Sequence, residues 1–336
     1  MIMTKKNISY LHIILVLFLI QACTTGSHKG PKVDKSQLVN IDVEIHRYGK
    51  ALSETDTTNF LVDVSKIQNE FALFLGNTTY TNQQLAPLYS YVTDTQIIFL
   101  SNKVMEMYPS VEREEAQLSS AFTRYHYFFP NKKIPVVYTY ISNLYHEKPV
   151  IVDDSVIIIA LDLYLGTEFS QYRSLGLPNY KIICMQPDNI IVDVMKSIYV
   201  TDLAPHNKQK TLVDRMIASG KLLYYLDAML PNVPDSLKIC YTSEQIKWAG
   251  NNKSNVWAFM VENNLFYTAD YKTQTKLMQD GPFTTGFTNS SPPRLGMWLG
   301  WQIVRKYMDS HPNVTVENLI NNTDAQAIFN QSGYKP

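Results

Sequence analysis

Only three cysteines occur in 336 residues, too few for a disulfide-dense scaffold to supply the stability. Charge of one sign is also missing: 30 Lys and Arg face 30 Asp and Glu, so nothing in the balance draws the chain to nucleic acid. With 13 Gly and 16 Pro the chain is neither collagenous nor low-complexity, and no apolar run reaches the roughly 20 residues of a membrane-spanning helix. The usual chemical signatures are absent too. There is no G-x-G-x-x-G, no phosphate-cradling G-x-x-x-x-G-K-[ST] and no G-x-S-x-G nucleophile elbow. No two histidines stand four residues apart, so no helix can present the H-x-x-x-H pair of a zinc peptidase. What remains is a 45% hydrophobic chain with 22 Tyr and 14 Phe, an ordered globular composition with a large aromatic core.

The first 23 residues indicate the compartment. Lys5 and Lys6 precede an apolar core from Leu11 to Ile20, and Ile20-Gln21-Ala22-Cys23 places a small residue directly before a cysteine. This is the layout of a bacterial lipoprotein signal, with residues 1–22 removed and Cys23 acylated. Several acyl chains on one cysteine give the two or more hydrophobic signals that durable bilayer anchoring requires. Loss of Lys5 and Lys6 leaves a mature charge of about −2. Residues 24–40 are polar, carry Gly26, Gly30 and Pro31, and read as a tether with a root-mean-square reach of about 20 Å. No acidic residue follows Cys23 directly, which favours an outer-membrane site facing the periplasm. Cys184 and Cys240 remain, and both a bridge and two buried thiols suit their apolar surroundings.

Residues 41–336 read as one mostly helical α+β domain with a small sheet. Ile41, Val43 and Ile45 alternate with polar residues as in a half-buried strand. Phe60, Val64, Ile67, Phe71 and Phe74 recur at helical spacing from Asp56 to Gly76, as one helix of about five turns. Helices follow over 94–108 and from Ser110 to Phe128, and strands over 134–141 and 155–161. Pro187-Asp188 opens the next helix with Asp188 as its expected N-cap. Further helical sequence covers 214–229, 244–264, 295–308 and 316–328, with a loop over 281–293. Acid pairs such as Asp153-Asp154, Glu114-Glu115 and Asp162 with Glu168 read as solvated surface. Tyr224, Tyr225, Trp248, Trp257, Trp298 and Trp301 coincide with the apolar stripes and read as core.

The most distinctive stretch is Ser291-Pro292-Pro293-Arg294-Leu295-Gly296-Met297-Trp298-Leu299-Gly300-Trp301, with Ser332-Gly333-Tyr334-Lys335-Pro336 at the end. With Ile45-His46-Arg47-Tyr48, the Ala160 to Gly166 junction (ALDLYLG) and Gly220 to Asp227 (GKLLYYLD), it resembles the gliding-motility lipoprotein B (GldB-like) family of the Bacteroidetes. That resemblance implies a lipid-anchored envelope protein with partners in the gliding or linked secretion apparatus, without a settled enzymatic activity; the missing catalytic motifs favour a non-enzyme with no cofactor. It also implies a distant likeness to zincin-like metallopeptidases. In that register Val192, Asp193 and Lys196 fall near the metal-binding helix motif and Ser219 near the downstream glutamate. Val has no lone pair and a protonated Lys only donates, so the implied scaffold is a degenerate one without metal. The alternative is an envelope hydrolase with a site not visible as a motif. An extended peptide could still bind beside the strand around Val156 to Leu161.

Overall fold

The computed structural model describes residues 30–336 apart from Asn207. The signal segment, Cys23 and the first part of the tether lie outside the described residues. Among those described, no helix is long and apolar enough to cross a membrane.

Four short strands form one mixed sheet in the order β1-β2-β4-β3, with β1 at Ile45–His46, β2 at Val136–Tyr140, β3 at Val150–Asp153 and β4 at Val156–Ala160. β1, β2 and β4 run parallel, and β3 pairs antiparallel to β4 through a two-residue turn with Asp154 at φ 38°. The alternating stretch 41–45 enters the sheet only at its end, because its backbone is engaged elsewhere. Ile41, Val43 and Ile45 donate their N–H groups to Thr123, Ser119 and Glu115, at 3.0, 3.0 and 2.9 Å. Those acceptors lie four residues apart on α2 (Glu112–Phe128), which follows α1 (Thr95–Met107). Two strand residues advance about 6.8 Å and four helical residues about 6 Å, so the two periods nearly coincide.

The helices replace longer expected ones where capping or geometry intervenes. The run from Asp56 to Gly76 breaks into Phe60–Ile67 and Ala72–Leu75, and Gly76 ends it with φ 67° and ψ −174°, an extended positive-φ conformation that suits glycine. Asp188 does not cap the next helix: it lies in a short 3₁₀ turn and its carboxylate pairs with Arg113, while α3 (Ile190–Ile198) starts after it. The 244–264 region divides into Ser243–Asn251 and Lys253–Glu262, and 316–328 into Val316–Asn321 and Ala325–Ser332. Tyr271–Met278 is a further helix, opened by the Asp270 side chain, which accepts from Thr273 N.

Two long helices, α4 (Leu212–Met229) and α6 (Leu295–Ser310), cross at the centre of the main core. Thr211 opens α4 with a capping box closed by Asp214. Glycines set the crossing distance: a Cβ on Gly220 would come within 2.4 Å of the Gly300 carbonyl oxygen, and one on Gly300 within 2.0 Å of that of Met216. Below the crossing lies a buried charge network. Asp227 on α4 accepts from Trp301 Nε1 (2.9 Å), Arg305 Nε (2.8 Å) and Lys238 Nζ (2.9 Å), the last on α5 (Asp235–Ile239). Arg305 also binds Asp235 in a two-point contact and stacks 3.7 Å from the Trp301 ring centre. A smaller aromatic cluster, with Tyr48 stacked on Phe74 at 4.1 Å, fills the region 48–92.

Replacing Gly300 with Ala is expected to cost about 3 kcal/mol, since two helix backbones rather than a side chain must give way. The midpoint of chemical denaturation reads it directly.

Candidate functional site

A cleft of about 230 Å³ opens where α3, α5 and the start of α6 meet the loop leading into β3. Its walls include Tyr164, Asp193, Lys196, Arg294, Asp280 and the Cys184–Cys240 disulfide. The two cysteines are therefore bridged, the first of the two alternatives the sequence leaves open, with Cα atoms 5.9 Å apart. A more voluminous cavity, about 900 Å³, lies along residues 30–39 and the ends of α2 and α6, with no sheet residue in its wall.

Each wall is held by its own local chemistry. Asp162, fully buried after β4, accepts from Ser142 N (2.9 Å), Ser142 Oγ (3.0 Å) and Leu144 N (2.7 Å). This carboxylate holds the turn in which Asn143 and Leu144 take positive φ, and the turn delivers His146 and Pro149 to the cleft. Tyr164 belongs to the ALDLYLG junction and donates to Asp193 Oδ2 at 3.0 Å. Arg294, from the SPPR stretch, sits at φ 55° just before α6 and donates to the carbonyls of Ile239 (2.7 Å) and Cys240 (3.2 Å). Its ring neighbour Tyr241 is anchored to the Pro293 carbonyl.

The ionisable groups disturb one another. Lys196 Nζ lies 3.6 Å from Asp193 Oδ1, an ion pair longer than a good hydrogen bond. Burial raises the Asp193 carboxyl above its ordinary range, against the pull of Lys196 and Tyr164. Burial likewise lowers the Lys196 ammonium, Arg294 adds to that effect, and Asp193 opposes it. Tyr164 is pushed well up by burial and by Asp193. A cleft that shifts several titratable groups at once is a functional-site signature.

Of the four residues that the peptidase resemblance singles out, the fold brings two into this cleft. Asp193 and Lys196 line it; Val192 points into the core, fully buried. Ser219 lies on α4 in a separate cavity of about 210 Å³ with Tyr199, Lys221 and Thr323. Among the described residues, no three His, Cys, Asp or Glu side chains gather as metal ligands. Tyr164 and Arg294 escape a motif search because their partners lie about 30 and 55 residues away, yet both belong to stretches already distinctive in the sequence.

The strand around Val156 to Leu161 is not the docking edge, because β4 pairs on both sides, with β2 and β3. The edge beside the cleft is β3. Ala160 N donates to Pro149 O, so Pro149, Ile151 and Asp153 face β4 and the alternation turns the N–H and C=O of Val150 and Val152 outward.

Fold and site together define a helix-rich α+β protein with an ionisable cleft beside the edge strand of its sheet. Its family follows from comparison: the model for gliding motility protein GldB matches residues 28–336, so the chain belongs to that family. No curated protein and no solved structure gives a significant match.

The Cys184–Cys240 bridge closes a loop across 56 positions, and reducing it is expected to cost about 4 kcal/mol, read as a lower denaturation midpoint in reductant.

Proposed function

We propose that this protein is a lipid-anchored component of the cell envelope, acylated at Cys23 and facing the periplasm from the outer membrane. In this reading it serves gliding motility, or the secretion machinery linked to it, by holding a partner protein rather than by catalysis. The family membership supports the association with gliding. The observation that carries the mode of action is the position of β3 at the end of the sheet, where the partly accessible Val152 presents its backbone N–H and C=O away from β4 beside the cleft. Extended peptides add to such edges through main-chain hydrogen bonds without any metal. Of the proposed degenerate positions, Lys196 in the cleft is paired with Asp193, while Val192 in the core has no lone pair to offer and Ser219 lies in a separate cavity. The alternative, an envelope metallopeptidase or other hydrolase, needs donors supplied from elsewhere.

Val152→Pro removes one outward N–H and leaves the β3–β4 ladder intact, as an edge proline can. It is expected to lower partner recovery from native membranes at least tenfold with the denaturation midpoint little changed. Cys23→Ser in the same cells is expected to lose acyl labelling and membrane attachment. Unchanged recovery with Val152→Pro overturns the holding role. One equivalent of bound zinc, with peptide cleavage lost to a chelator, supports the alternative.

A further inference from the structure

Two donors in the cleft are underused. Arg294 Nε is buried and lies 3.0 Å from Asp280 Oδ1, but not in a direction that makes a hydrogen bond. Asp280 itself is half exposed, its side chain 53% accessible, so it neutralises Arg294 loosely. Lys196 is held by a long 3.6 Å contact with Asp193 and by the more distant charge of Asp280, while the Arg294 charge works against its ammonium. The cleft wall carries three cations, Lys181, Lys196 and Arg294, against the carboxylates of Asp193 and Asp280, and the spare N–H groups of Lys196 and Arg294 make this half-buried space a receptor for a carboxylate that would fill both donors. A volume of about 230 Å³ exceeds the ~30 Å³ share of a single water severalfold, room enough for a carboxylate and part of a side chain.

Strand direction says which carboxylate. His146 and Pro149, which precede β3, line the cleft, while β3 itself runs away from it. A peptide added antiparallel to β3, the pairing that is slightly more stable per residue, therefore ends where β3 begins. We propose that the cleft receives the C-terminus of an extended peptide, whose main chain pairs with the outer side of β3 at Val152 and whose terminal carboxylate binds Lys196 and Arg294. This rests on strand capture by β3 and adds the part of the ligand that is recognised.

The test uses the full-length lipoprotein in detergent and a fluorescein-labelled hexapeptide of alternating Thr and Val, read by anisotropy. The free acid is expected to bind at least tenfold more tightly than the C-terminal amide. Lys196→Gln should shrink that preference below threefold and Lys196→Arg should restore it, while Val152→Pro should abolish binding of both peptides. Equal binding of acid and amide, both lost in Val152→Pro, overturns carboxylate recognition and leaves strand capture standing. An amidated peptide with a terminal Glu residue that matches the free acid moves recognition to a side chain and overturns the terminus assignment. Absence of binding by every peptide overturns both readings.

Discussion

The Asp227 carboxylate organises the centre of this protein. It accepts from Arg305, Lys238 and Trp301, and every one of those side chains is nearly or fully buried. Burial alone would raise its pKa; Arg305 and Lys238 outweigh that and hold it below the usual carboxylate range. The stability it confers is therefore present above the unfolded carboxyl value and lost as pH falls through the lower folded one. Such a network is costly to desolvate and tolerates no missing partner. Its position explains its importance. Lys238 and Asp235 ride on α5, which Cys240 follows directly, and Arg305 rides on α6, which Arg294 directly precedes. The same charges that lock α4 to α6 thus fix the disulfide wall and the guanidinium of the cleft more than one helix away.

The glycine crossing makes the network possible. Only with Gly220 and Gly300 in contact can α4 and α6 approach closely enough for Asp227 to reach Trp301 and Arg305. α3 then packs on α4 and turns Asp193 and Lys196 toward the space left between the sheet edge and α6. Function is built at a boundary: a strand that lacks one neighbour, next to charges that lack a full complement of partners. Neither would be stable in the core, and both are tolerable where a ligand or water can complete them.

Much of this was legible from residue patterns. The helices around 95–107, 112–128, 212–229 and 295–310 follow their apolar periods, and β2 and β4 follow their β-branched runs. The GldB-like resemblance rested on stretches that the fold gathers around the cleft and network: Tyr164, Asp227, Arg294 and Trp301 all come from them. Other features were hidden for physical reasons. β3 is four residues between Pro149 and Asp154, too short to show a period, so the docking edge was assigned to its interior neighbour. The 41–45 segment has strand alternation but spends its N–H groups on α2, which local sequence does not reveal. Asp188 has the residue type of a cap, and a distant Arg113 claims it. The bridge between Cys184 and Cys240 depends on a three-dimensional approach that spacing alone leaves undetermined.

The most direct measurement of this account is the stability and local exchange of Asp227→Asn, which keeps the shape and removes the charge. The account predicts a loss of about 3–5 kcal/mol in chemical denaturation. It also predicts faster amide exchange at Ile239 to Tyr241 and at the start of α6, because the cleft wall loses its anchor. A variant within about 0.5 kcal/mol of the parent, with unchanged exchange at those positions, would contradict the claim that this carboxylate holds core and cleft together.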